Sequence, residues 1–249
     1  MVLETQNIKL RRFIMELKIH QLKKTFGEKI AIDIDNYEIN GQEIIGLVGN
    51  NGAGKTTLFR LILDLIIPDN GYVEVSGFTT SKCEDWKAFT GAFIDDGFLI
   101  DYLTPDEYFD FICKIHGINK PTYESRISRF EHMMNGEITG VSKLIRNLSA
   151  GNKQKVGIIG AMLHNPQLLI LDEPFNFLDP SSQLAMKKVL EDFSHETGAT
   201  VIISSHNLTH TFELAHRITL LESGKIIKDG WKNDTTLAQE VEDYFIHNS

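Results

Sequence analysis

The eight residues Gly49-Asn50-Asn51-Gly52-Ala53-Gly54-Lys55-Thr56 constrain this chain more than any other segment. They fit the spacing G-x-x-x-x-G-K-[ST] and directly follow Glu43 to Val48, which reads as a buried strand. The spacing predicts a strand, a tight glycine turn and a helix starting at about Lys55. Glycines let successive backbone N–H groups face one concavity, which at a helix N-terminus makes an anion nest. Asn51, Gly52, Ala53, Gly54, Lys55, Thr56 and Thr57 are therefore the candidate nucleotide-binding residues. Lys55 supplies positive charge for β- and γ-phosphates, and the Thr56 hydroxyl is suited to ligate Mg2+.

A second signal is the apolar run Leu168 to Leu171, which ends in Asp172-Glu173. Ligands of open α/β sheets collect at the carboxyl ends of the strands, so both acids are expected beside the phosphates. Asp172 is suited to hold Mg2+, and Glu173 to polarise the water that attacks a γ-phosphate. Alone, an apolar strand closed by two acids is more often a solvated strand end than a site. Beside the phosphate loop it becomes a catalytic pair.

Composition narrows the setting. A formal net charge of −9 lacks the basic balance of a broad nucleic-acid surface, so no nucleic-acid partner is expected. The longest greasy stretch, Leu61 to Ile67, carries Asp64 and falls well short of the roughly 18 apolar residues of a membrane span. Glu4, Lys9, Arg11 and Arg12 interrupt any signal-peptide core, which gives the expectation of a cytoplasmic protein that is not itself a pore. Cys83 and Cys113 lack the spacing of a disulfide or zinc framework.

Residues 1–14 read as an N-terminal extension, because the first strand-like stretch begins at Met15, where translation itself is a candidate to start. Further strands are expected at Ile30 to Tyr37, Tyr72 to Val75, Gly91 to Ile94, Thr200 to Ser204, Ile218 to Glu222 and Lys225 to Lys228. Several are continuous apolar runs, as strands covered on both faces require. Thr104 to Leu163 is helical in pattern, and Thr235 to His247 reads as one closing helix. The economical architecture is an α/β fold, a mixed sheet with an inserted helical region.

Leu148-Ser149-Ala150-Gly151-Asn152-Lys153-Gln154-Lys155 resembles the LSGGQ signature of ABC ATPases. The order of motifs matches that family: phosphate loop, signature, acid pair, then a histidine. Asp179 resembles its D-loop aspartate, His206 its switch histidine, and Phe26 the aromatic that stacks on adenine. The resemblance covers about Met15 to Gly230. It implies a P-loop ABC ATPase fold over residues 15–249, with a helical subdomain at about 96–163 and a small antiparallel β subdomain. It implies ATP and Mg2+, with Glu173, His206 and Lys55 catalytic. It also implies a head-to-tail dimer with itself or a related ATPase, in which Ser149 and Gly151 of one copy face the phosphate loop of the other. Integral-membrane permease subunits would hold such a dimer at the inner face of the cell membrane.

The chain departs from the family pattern in three places. The signature has Ala150 for glycine and Asn152 for glutamine, while Ser149 and Gly151 are kept. Asp95 falls at the Q-loop glutamine position, where a carboxylate can still approach Mg2+ but, when ionised, donates no hydrogen bond. Some drug- and peptide-antibiotic export or immunity ATPases carry a glutamate there, which leans the reading towards export. An importer ATPase, a soluble non-transport ABC protein and a nucleotide-dependent scaffold remain open. Of nine histidines only His206 receives a role; His206 and His210 are four apart without the HExxH glutamate, which argues against zinc. Between Ala88 and Cys113 six acids (Asp95, Asp96, Asp101, Asp106, Glu107 and Asp110) interleave with Phe98, Tyr102, Tyr108 and Phe109, without any lysine or arginine. That run is either a solvated acidic face over core aromatics or a docking groove for a basic amphipathic helix of the membrane partner.

Overall fold

The computed structural model describes residues 15–247; the expected extension at 1–14 lies outside the described residues. In chain order the elements are β1 (Glu16–Phe26), β2 (Lys29–Asn40), β3 (Ile44–Val48), α1 (Lys55–Ile62), β4 (Asn70–Val75), β5 (Phe78–Thr79) and β6 (Thr90–Phe93). Four helices follow: α2 (Pro105–Ile115), α3 (Lys120–Ile127), α4 (Glu131–Met134) and α5 (Ala150–Met162). Then come β7 (Leu168–Leu171), α6 (Pro180–Thr197), β8 (Thr200–Ser205), α7 (Leu208–Leu214), β9 (Arg217–Glu222), β10 (Lys225–Trp231) and α8 (Thr235–His247).

The strands form two sheets. One is antiparallel, in the order β2-β1-β4-β5; the other runs β10-β9-β3-β8-β7-β6, with every pair parallel except β9 and β10. Every residue of β3, β7 and β8 is buried, because the large sheet is covered on both faces. Side-chain alternation divides its residues between two cores. Ile44, Val48, Leu169, Leu171, Val201 and Ile203 pack with Val156 and Ile159 of α5 and with Met186 and Leu190 of α6. Ile45, Leu47, Leu168, Ile170 and Ile202 pack with Leu58 and Phe59 of α1 and with the inner face of the antiparallel sheet, including Leu17, Ile32 and Val73.

The inserted helices sit between β6 and β7, strands that pair directly in register from Thr90–Leu168 to Phe93–Leu171. Helix α2 starts sharply because Thr104 and Glu107 form a capping box and Pro105 occupies the first turn. Its Tyr108, Phe109 and Cys113 are buried. Helix α5 is apolar from Val156 onward and enclosed by other elements, with Gln154 and Lys155 buried ahead of that run.

Register brings the chemistry together. Val48 at the end of β3 lies opposite Ser205 at the end of β8, and Leu171 at the end of β7 lies opposite Ile203 and Phe93. The phosphate loop, the acid pair, His206 and Asp95 therefore all leave the sheet along one edge. Among the described residues no helix is long and apolar enough to cross a membrane.

Candidate nucleotide site

The turn between β3 and α1 closes on Gly54, which caps α1 at φ 113°. An added Cβ there would lie 2.6 Å from the Ala31 carbonyl oxygen, so both conformation and space demand glycine. Lys55 follows, almost fully buried, and its Nζ donates to the carbonyls of Gly49 (2.6 Å) and Asn50 (3.4 Å). Burial pushes the ammonium pKa down, and the nearby Glu173 and Asp172 carboxylates partly offset this. Glu173 Oε1 lies 3.6 Å from Nζ.

Asp172 and Glu173 leave β7 in different environments. Asp172 is buried, and its Oδ2 accepts from Thr56 Oγ1 at 2.5 Å, while Oδ1 accepts from Ser204 Oγ. Desolvation raises its pKa, and the hydroxyls of Ser204 and Thr56 oppose that rise. Glu173 is more open and points at His206, whose Nδ1 lies 2.9 Å from Oε2; the His206 backbone N–H approaches the same oxygen at 3.4 Å.

Two clefts, each of about 320 Å3, meet at Glu173. The first is lined by Phe26, Lys29, Ala31, Asn51, Gly52, Gly54, Lys55, Thr56 and Thr57. It combines the cationic Lys55 loop with an exposed aromatic ring, Phe26, 54% exposed, a lining that suits the phosphates and base of a nucleotide. Ala53 is buried and contributes its backbone, its carbonyl accepting from Gly224 N–H at 2.8 Å. The second cleft is lined by Asp95, Asp96, Ala150, Gln154, Asp172, Glu173, Asn176 and Phe177.

Asp95 thus faces the acid pair, but its carboxylate is engaged elsewhere, by Arg60 Nη2 at 3.3 Å and by the Gly97 N–H at 2.9 Å. Ser149 is exposed and caps α5, accepting from Asn152 N–H at 3.2 Å. Gly151 packs on the Phe177 carbonyl, which an added Cβ would approach to 2.6 Å. Asp179 caps α6 through Ser181 and Ser182, and those donors hold its pKa far below the usual carboxylate range. Within the chain, then, Ser149 and Asp179 stand outside both clefts.

Two contributors escaped the sequence reading. Ser204 is fully buried and bonds both to Asp172 and to the Glu173 N–H; Gln154 Nε2 donates to the Glu173 carbonyl at 3.1 Å. In the sequence Ser204 is one of three hydroxyl residues of β8, and Gln154 is one of four polar residues early in α5.

The acidic stretch resolves into parts. Tyr108 and Phe109 belong to the core, whereas Phe98 and Tyr102 are exposed. Asp95 pairs with Arg60, Asp96 with Lys153 and Asp110 with Lys114; Glu107 caps α2 and Asp106 accepts from the Gly140 N–H. Folding supplies the cations that the local sequence lacks.

A fold of two sheets and an inserted helical layer, with a phosphate loop and an acid pair on one sheet edge, defines the class. The sequence profile described as ABC transporter matches residues 32–176, and the chain belongs to that family. More particularly, it is an ATP-binding, ATP-hydrolysing subunit of the ABC type. It is 34% identical over 219 residues to the bacitracin transport ATP-binding protein of Bacillus licheniformis, covering 86% of this chain and 69% of that one. It is 30% identical to a methionine import ATP-binding protein of Bacillus thuringiensis, covering 86% and 63%. Among solved structures, an ATP-binding subunit of an ABC transporter superposes with TM-score 0.81 at 24% identity, covering 92% of this chain and 99% of that one. A dimeric cassette bound to ADP and Pi superposes with TM-score 0.75 at 24% identity, covering 87% and 98%.

Proposed function

We propose that residues 15–249 form one nucleotide-binding domain, with its helical subdomain at about 96–163, that drives a separate membrane permease by binding and hydrolysing MgATP. The observation that carries the reading is the convergence of Lys55, Thr56, Asp172, Glu173 and His206 at one sheet edge, joined by contacts of 2.5–3.6 Å. Phe26 stacks on the adenine, and Lys55 leaves the loop carbonyls for the β- and γ-phosphates, which the N–H groups of the 51–57 loop and helix start also receive. Glu173 orients the attacking water and takes up its proton, and His206 holds either that water or the γ-phosphate while bonded to Glu173.

The donor set suits Mg2+. A Thr56 hydroxyl beside a buried Asp172 carboxylate offers hard oxygen ligands, and such ions take their remaining ligands from phosphates and water. Mg2+ held there would supply positive charge that offsets the charge of the triphosphate. Asp95 is a further candidate ligand from the cleft it shares with Asp172, on release from Arg60.

A second cassette, its own copy or a related ATPase, completes each site head to tail. Supporting this, the first turn of α5 presents Ser149 and Ala150 to solvent, and Phe177 and Leu184 are exposed nearby in sequence to the Asp179 cap. ATP-driven closure and hydrolytic reopening would be the work delivered to the permease, at the inner face of the membrane. Export of a drug or peptide is the favoured direction, supported by the Asp95 position and the likeness to a bacitracin transport protein. Import is the second reading, supported by the likeness to a methionine import protein.

Replacing Glu173 by glutamine tests the core of this reading. Turnover should fall by roughly 100-fold or more while MgATP still binds; retained turnover removes Glu173 from the mechanism.

A further inference from the structure

We propose that Gln154 and Ser204 are positioning residues that clamp the Glu173 backbone and tie it to α5, one turn beyond Ser149. The proposal rests on the reading of Glu173 as the water-orienting acid.

Glu173 has φ 47°, a left-handed conformation that a residue with a Cβ disfavours and that its surroundings must impose. The constraint comes from side chains on both sides of the residue. Its N–H donates to Ser204 Oγ at 2.8 Å, and its carbonyl accepts from Gln154 Nε2 at 3.1 Å and from the Asn176 N–H at 3.1 Å. Ser204 has one proton and gives it to Asp172 Oδ1, so a single hydroxyl fixes the phases of both acids. Both clamp residues are buried, Ser204 fully and Gln154 at 8% exposure, so water does not readily substitute for either.

Gln154 lies one turn beyond Ser149 and Ala150 on α5. The same helix meets the 173–177 turn a second time where Gly151 packs on the carbonyl of Phe177, itself at φ 64°. The turn is therefore stitched to α5 at both ends. In a head-to-tail pair, Ser149 of one protomer meets the nucleotide held by its partner, while Glu173 of that protomer serves its own nucleotide. The clamp gives a rigid path of one helical turn between the two sites.

The test is a double-mutant cycle on MgATP turnover by the full chain, with any subunits that co-purify. Gln154→Leu and Ser204→Ala should each lower kcat by roughly tenfold or more with KM nearly unchanged, and Ser204→Thr, which keeps the hydroxyl, should retain most of the rate. In a Glu173→Gln background Gln154→Leu should not lower the residual rate further, because Gln154 acts through Glu173, whereas Ser204 also holds Asp172. The same fractional loss in both backgrounds marks a general structural role and overturns the proposal; so does wild-type kcat in both single variants. Should Gln154→Leu fail to fold, the Ser204 pair decides: a kcat loss in Ser204→Ala that Ser204→Thr restores supports the clamp, and wild-type kcat in Ser204→Ala overturns it. Wild-type turnover in Glu173→Gln itself defeats the catalytic reading, whereas an inactive Glu173→Gln beside fully active clamp variants defeats the clamp alone.

Discussion

Phe26 ends β1 with more than half its surface in water, a poor place for a phenyl ring unless something stacks on it. Because it adds little to the core, Phe26→Ala should leave the melting temperature nearly unchanged. It should weaken ATP binding by about 1–3 kcal/mol, and Phe26→Trp should restore it, measured by equilibrium nucleotide titration. Equal ATP affinity in Phe26→Ala would remove the ring from the site. That Lys55, Thr56, Asp172 and Glu173 would meet was legible in the sequence because each is fixed by spacing to a strand end or a glycine turn. Ser204 and Gln154 were not, since their contacts depend on which strand neighbours β7 and on how α5 is rotated. Asp95 shows the converse limit. Its position beside the acid pair was legible, but its partner Arg60 is 35 residues away in sequence.

Helix α5 shows how an element is held by its small residues. A Cβ on Gly157 would come within 2.1 Å of the Phe93 ring on β6, so Gly157→Ala should destabilise the fold by about 1–3 kcal/mol, read from denaturant unfolding. Beyond the end of this helix His164 stacks on His116 at 4.1 Å, and its Nε2 lies 3.2 Å from the Thr90 carbonyl, which makes Nε2 the protonated nitrogen. Burial, with further contributions from His116 and Arg126, pushes its pKa down to about 4. Above pH 6.5 neither the folded nor the unfolded state protonates it, and its contribution to stability is fully present. As pH falls towards 4 the unfolded chain gains a proton that the folded site refuses, and that contribution is lost. His164→Gln should therefore flatten the decline in unfolding free energy between about pH 6.5 and 4, by up to a few kcal/mol. An unchanged slope would contradict the assignment. The elements themselves were largely legible: apolar runs marked β3, β7 and β8, and the closing helix begins at Thr235 as expected. The two-residue β5 was not, because a strand so short exists only through its pairing with β4.

At the scale of the molecule, two cores cover the faces of one largely parallel sheet, and the carboxyl ends of its strands lead into the phosphate loop, the acid pair and His206. This much was legible, since continuous apolar strands leave few architectures other than a sheet covered on both faces. In the proposed head-to-tail pair, the exposed Ser149, Ala150 and Phe177 would face the second cassette. The account turns on a nucleotide being enclosed between two such cassettes. The most direct test is the mass of the Glu173→Gln protein by light scattering, alone and with any subunits that co-purify, in MgATP and in MgADP. The account predicts that ATP brings two cassettes into one particle and that ADP leaves them apart; a mass that saturating ATP does not change would contradict it.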